Sequence, residues 1–74
     1  VYVARALVYQ GIYYSHAGQY QKAKKLLEKG LQAYEDTYGK NHIATGWIIE
    51  NLGKTYFLEG NIDKAESLFL EALD

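Results

Sequence analysis

Residues 49–69, IENLGKTYFLEGNIDKAESLF, decide the fold. Ile49, Leu52 and Tyr56 recur at steps of three and four, the spacing that lines one face of a helix. After an interruption at Glu59-Gly60-Asn61, Ala65, Leu68 and Phe69 do the same. Glycine at that break supplies the left-handed conformation that closes a helix. Asn61 then offers a side-chain oxygen to the free N–H groups that begin the next one. Two amphipathic helices joined by so short a turn bury their apolar faces by folding back on each other. Gly53 and Ala65 are the small residues that let the paired backbones approach.

The stretch has a counterpart at residues 7–27, LVYQGIYYSHAGQYQKAKKLL. At an offset of 42, seven of the 32 compared positions are identical: Gly11/Gly53, Tyr14/Tyr56, Gly18/Gly60, Lys22/Lys64, Ala23/Ala65, Leu26/Leu68 and Leu31/Leu73. Ordinary composition gives about two by chance. A period between 20 and 50 residues marks supersecondary units stacked into a solenoid. A third break, Tyr38-Gly39-Lys40-Asn41, separates the copies. The expected fold is all-α, with antiparallel helix-turn-helix pairs stacked as an α-solenoid. Helices are predicted near residues 2–17, 20–38, 42–59 and 62–73, with Asn41 and Asn61 as N-caps. The repeats divide at 1–41 and 42–74 within one structural domain. The expected core stripes are Val3, Leu7 and Tyr14 with Gly11 between; Ala23, Leu26, Leu27, Gly30, Leu31 and Tyr34; Ile48, Ile49, Leu52 and Tyr56; and Ile62, Ala65, Leu68, Phe69, Ala72 and Leu73.

The pattern Ile49-x2-Leu52-Gly53-x2-Tyr56, then Ala65-x3-Phe69, resembles the tetratricopeptide repeat, W-x2-L-G-x2-Y followed by A-x3-F and P. The first copy reads Leu7-x2-Gln10-Gly11-x2-Tyr14, then Ala23-x3-Leu27. Leu7 and Ile49 replace the opening Trp, Gln10 replaces Leu, and Glu35 stands where the closing Pro falls in the first copy. Packing accounts for the residue types. Gly11 and Gly53 admit the second helix of each pair, Ala23 and Ala65 face them, and Tyr14 and Tyr56 fill the space beside the contact. Leu27 and Phe69 are expected to carry packing on to the next helix. The period exceeds the ordinary one of about 34 by roughly one turn per helix. That long form is similar to the repeats of kinesin light chains, as is the linker from Tyr38 to Ala44, with Asn41 for Asp and Ile43 for Pro. Glu50-Asn51-Leu52 is similar to that family's N-N-L run. The resemblance implies the repeat type and not cargo transport.

Composition narrows the function. The chain has 74 residues, no Cys, no Pro, eight Tyr and a formal net charge of −1. A domain this small buries a modest fraction of its surface and is marginally stable alone. Without Cys it has neither disulfides nor thiolate metal sites, and a reducing, cytoplasmic setting fits most easily. Val1 in place of Met reads as a chain cut from a longer protein. No apolar run approaches the roughly 18–20 residues of a membrane span, so no membrane partner is expected. Near-neutral charge exerts no general pull toward nucleic acid. Lys22, Lys24, Lys25 and Lys29 read as a solvated outer face. The halves differ: residues 1–40 carry +3 and residues 41–74 carry −4. The asymmetry reads either as solvated faces or as head-to-tail attraction between stacked units.

By the resemblance, the first helix of each repeat lines a groove that receives a peptide or helical segment. The positions implied are Arg5, Val8, Tyr9, Ile12, Ser15 and His16 in the first copy, and Trp47, Glu50, Asn51, Lys54, Phe57 and Leu58 in the second. They lie off the core stripes and combine aromatic rings with polar groups, a mixture typical of binding surfaces. Asn51 could bond a ligand amide through both side-chain functions. Trp47 and Phe57 read alternatively as covers for core or a neighbouring repeat, and Glu50 with Lys54 as a surface i,i+4 pair. Val8 and Ile12 stand where a carboxylate clamp wants Lys and Asn, so hydrophobic and amide contacts should dominate. His16 and His42 lack the partners of a metal site, and Ser15 beside His16 is no triad because adjacent helical residues point apart. No phosphate loop or catalytic constellation is evident, so neither a cofactor nor enzymatic activity is expected. Two repeats fall short of the roughly three that a solenoid needs for stability. Leu68, Leu70 and Leu73 are left as an apolar end, and self-association through uncapped ends is the competing expectation.

Overall fold

The computed structural model describes residues 2–73. Four helices follow one another: α1 (Tyr2–His16), α2 (Tyr20–Tyr38), α3 (Ile43–Glu59) and α4 (Ile62–Leu73). There is no strand among the described residues. α1 packs on α2, α3 packs on α4, and α2 joins the two hairpins by packing on α3, which also touches α1. The slab measures 31 × 25 × 12 Å.

The two hairpin turns are built alike. Gly18 and Gly60 adopt φ of 85° and 97°, the left-handed region that glycine enters without a Cβ penalty. In the first turn Gln19 N–H donates to the Tyr14 carbonyl, and in the second Asn61 N–H donates to the Tyr56 carbonyl, at 2.9 Å each. These bonds satisfy carbonyls that the ending helix leaves open. The turns differ in how they start the next helix. Asn61 Oδ1 accepts from Lys64 N–H at 3.3 Å, whereas Gln19 makes no side-chain cap. At α3 the cap is His42 and not Asn41 as expected. Its Nδ1 accepts from Ala44 N–H at 3.0 Å, and its ring stacks on Tyr38 at 4.6 Å. An imidazole nitrogen is as good an acceptor here as an amide oxygen, and the stacking selects it.

Within each hairpin one close approach repeats. A Cβ built on Gly11 would lie 2.7 Å from Leu27 Cγ and 3.2 Å from the Ala23 carbonyl; one on Gly53 would lie 2.8 Å from Phe69 Cε1. Leu27 and Phe69 thus press on the glycine of their own hairpin. Leu27 additionally joins the core shared with Ile48 and Leu52 of α3. A second close approach lies toward the other end of the hairpin. There Gly30 faces Ala4 and Val8, and Gly46 faces the Ala72 carbonyl. Residue 11 meets residues 23–27 while residue 4 meets residue 30, so α1 and α2 run antiparallel. At the 42-residue offset, Ala4 corresponds to Gly46 and Gly30 to Ala72. The smallest residue has changed helices, and one small pair does the same work in each copy. The identity of Lys22 and Lys64 also has a cause: each ammonium sits over the Tyr of its own hairpin, at 4.5 Å from Tyr14 and 6.0 Å from Tyr56.

The core gathers Ala4, Val8, Leu27, Tyr34, Ile48 and Leu52 from α1, α2 and α3. Fully burying an aliphatic chain such as Val8, Leu27 or Ile48 stabilises by about 1.5–3 kcal/mol each. The expected stripes of α2 and α3 lie at these positions. The stripe of α1 does not. Val3 is 76% exposed and Leu7 and Tyr14 are half-buried, while Ala4, Val8, Gly11 and Ser15 are buried. α1 has apolar residues on two faces, one turned to α2 and α3 and the other to an open end. Periodicity alone does not rank them. At the opposite end Leu68 packs against the core, as its place in the α4 stripe predicts and unlike an exposed apolar end, whereas Ile62 and Leu73 of that stripe are exposed, as is Leu70.

Candidate functional site

α1 and α3, the first helices of the two hairpins, lie side by side and leave two cavities along their seam. Between their C-terminal halves is one of about 200 Å³. It is lined by Ile12, Ser15 and His16 from α1 and by Asn51, Lys54, Thr55, Phe57 and Leu58 from α3. Toward their N-termini, joined by the end of α2 and the linker, is a shallower one of about 400 Å³. Arg5, Tyr9 and Trp47 line it together with Tyr34, Tyr38, His42 and Ala44. Ten of the twelve groove positions read from the sequence are therefore divided between two cavities on one seam.

Two of the twelve positions are withdrawn from the surface. Val8 is 0% exposed because it packs against Gly30 of α2 and into the core shared with α3, so it is core and not groove. Ser15 is buried as well, and its hydroxyl is hydrogen-bonded to that of Thr55 at 3.0 Å. Thr55 Oγ1 also bonds the Asn51 carbonyl at 2.9 Å. This pair satisfies two hydroxyls that would otherwise be costly to bury between α1 and α3. Glu50 lies outside both cavities and borders a third at the open end of the second hairpin. It does not pair with Lys54; the acidic partner that α3 offers across the hairpins is Glu59, which receives Lys24 at 2.8 Å.

The remaining side chains have defined settings. Asn51 Nδ2 donates to the Trp47 carbonyl one turn back at 2.9 Å, which leaves the amide oxygen as its outward function and not both groups. Trp47 is half-buried, packs on the core and meets Tyr9 edge-on at 5.8 Å. Phe57 is 55% exposed and Leu58 is also exposed. The cavity between the C-terminal halves thus has an apolar rim from Ile12, Phe57 and Leu58, an amide oxygen from Asn51 and cationic character from Lys54. Such a lining suits an apolar side chain of a partner with its backbone amide nearby.

Thr55, Tyr34, Tyr38, His42 and Ala44 were not foreseen as lining these cavities. Tyr34, Tyr38 and His42 recur at steps of four, so a ladder of rings was legible in the sequence. Tyr34 and Tyr38 meet at 5.6 Å, and the ladder continues to His42. Thr55 left no signal, because its counterpart at the repeat offset is Tyr13.

Among the described residues no three His, Cys, Asp or Glu side chains form a metal-binding group, and no helix is long and apolar enough to cross a membrane. No curated protein and no solved structure matches the chain significantly. The sequence profile of the tetratricopeptide repeat matches residues 2–74. Repeats of this kind serve in general as non-catalytic scaffolds for protein interaction. With paired helices, glycine-to-large-residue contacts in both hairpins and that match over nearly its whole length, the chain belongs to the tetratricopeptide repeat family.

Proposed function

We propose that the chain is a docking module that holds a peptide or helical segment of another protein along the seam between α1 and α3. The observation that carries this reading is the cavity between their C-terminal halves. It combines half-buried Ile12 of the first hairpin and exposed Phe57 and Leu58 of the second with the outward amide oxygen of Asn51 and the ammonium of Lys54. Affinity would come mainly from an apolar side chain seated against Ile12 and Leu58, and orientation from the amide. Selection of binders from a random peptide library on the intact chain tests it. Selected peptides should lose binding to Leu58→Asp and Lys54→Ala and keep it to Lys29→Glu, which alters the outer face of α2. Peptides that bind all three variants equally would place the site elsewhere.

A second reading is favoured by a separate observation. Both ends of the slab expose apolar chains, Val3 and Tyr13 at one and Leu70 and Leu73 at the other. On this reading the unit acts by stacking on further copies. Sedimentation of the intact chain across concentrations separates the two, since a docking module stays monomeric without its peptide.

A further inference from the structure

The shallower cavity on the seam, of about 400 Å³, is built by both hairpins at the joint between them. Tyr9 of α1 and Tyr34 and Tyr38 of α2 come from the first, and His42 and Trp47 stand at the start of the second. Tyr9 meets Trp47 edge-on at 5.8 Å, and Tyr38 stacks on His42 at 4.6 Å. Ring faces therefore come from both sides of the joint. Tyr34 differs from the others. It is 4% exposed and its ring belongs to the core, yet its hydroxyl has no hydrogen-bond partner among the described residues. That hydroxyl is not fully enclosed, because among the described residues no buried side-chain polar atom is left without a partner. It is the end of the side chain that reaches the cavity. A buried phenol ordinarily finds a partner for its hydroxyl, and here the fold supplies none.

The other polar side chains share one property. The Trp47 indole N–H is a donor only, and it too has no acceptor among the described residues. His42 uses Nδ1 to accept from Ala44 N–H, which places the proton of the neutral ring on Nε2 as a further donor. Arg5 carries donors and no acceptor. No carboxylate and no side-chain amide lines the cavity, so only the phenol hydroxyls accept. The matching ligand brings acceptors and apolar surface but few N–H groups. An α-helix does not meet this requirement, because its carbonyls are bonded within it. An ordinary extended strand brings an N–H with almost every carbonyl. Proline has a carbonyl and no N–H, and a polyproline II helix leaves all of its carbonyls open.

We infer that this cavity takes a proline-rich segment of the partner in the polyproline II conformation, with prolines against the Tyr9, Trp47 and Tyr38 rings and a carbonyl accepting from the Tyr34 hydroxyl. The inference rests on the docking reading of the seam and adds to it the composition and conformation of the segment. Proline rings lie flat on aromatic faces, and the stiff segment loses little freedom when it binds. A shallow cavity open along its length admits such a segment from the side. It lies toward the N-termini of α1 and α3, away from Leu58, so the two cavities are tested apart.

The chain has one tryptophan, so Trp47 emission reports on this cavity. The probe is a capped ten-residue proline peptide, and the control is a capped ten-residue glycine–serine peptide. Titrating the full chain with the proline peptide should give a saturable change in emission, and the control should give none. Tyr34→Phe should weaken binding by about two- to tenfold, the loss of one hydrogen bond. The same variant should melt no lower than wild type, because the hydroxyl has no partner in the chain to lose. A purely structural role would move the melt and not the affinity. Tyr9→Leu, at a ring that is 57% exposed, should also weaken binding, and Lys29→Glu on the outer face of α2 should not. No response to the proline peptide, an equal response to the glycine–serine peptide, or equal binding by wild type and Tyr34→Phe overturns the inference. Library-selected peptides that depend on Leu58 would leave the docking reading standing in any of those cases. If neither the proline peptide nor any selected peptide binds, both fall.

Discussion

Replacing Gly11 by alanine tests the packing argument where it is sharpest. An alanine gains about 1 kcal/mol over glycine in a helix interior. Against this, its Cβ would lie 2.7 Å from Leu27 Cγ, a branch point of a fully buried side chain, and 3.2 Å from the Ala23 carbonyl, which moves only if the helices part. Overpacking of this kind costs about 1–3 kcal/mol. The net expectation is a loss of about 1 kcal/mol, which for a domain of this size lowers Tm by about 4–8 °C. At Gly53 the obstacle is the ring of Phe69, a half-buried side chain at an open face with room to rotate. Gly53→Ala should therefore fall within about 0.5 kcal/mol of wild type or above it. Urea denaturation followed by helical circular dichroism and by Trp47 fluorescence, at low protein concentration, measures both. The decisive arm is the double variant. Leu27→Ala alone costs about 2–5 kcal/mol, and in that background Gly11→Ala should become stabilising because the obstacle is gone. If Gly11→Ala is stabilising in the wild-type chain, or its sign fails to reverse beside Leu27→Ala, the close-approach account of the repeated glycine is wrong.

Three further outcomes follow from other contacts. Gln19→Asn should raise stability by about 0.5–1 kcal/mol, because α2 starts without the side-chain cap that Asn61 gives α4; thermal melts check it. Thr55→Val should cost about 1–2 kcal/mol by leaving the buried Ser15 hydroxyl without its partner, and adding Ser15→Ala should restore most of that, as a double-mutant cycle would show. Lys24→Ala should lower stability by about 1 kcal/mol, through loss of both the Glu59 ion pair and the contact with the Tyr56 ring, and 1 M salt should shrink the difference, since a partly exposed pair is screened.

Helix placement was legible because its signals are local. Gly18 and Gly60 need only their own backbone to close a helix, and three- and four-residue spacing belongs to the helix itself. Predicted and observed ends differ by one residue at α1 and at α3. The hairpin contact was legible too, because a small residue opposite a large one, written twice at one interval, has few other physical meanings. The cap of α3 was not. Asn41 and His42 both offer an acceptor, and the choice was made by the Tyr38 ring, which only the folded linker brings near.

What the sequence by itself determined is the repeating unit: four helices, two glycine turns and the pairing of α1 with α2 and α3 with α4. The tertiary structure alone decided which of α1's apolar faces became core. Val8 went inside and Val3 stayed out, because α2 and α3 pack on one side of α1 and Val3 lies off that side. The same packing buried Val8 and Ser15, two of the groove positions read from the sequence, and left Phe57 exposed. A helical pattern records how apolar residues are spaced around an axis, but burial depends on which neighbour covers each side, and that is a property of how the hairpins stack.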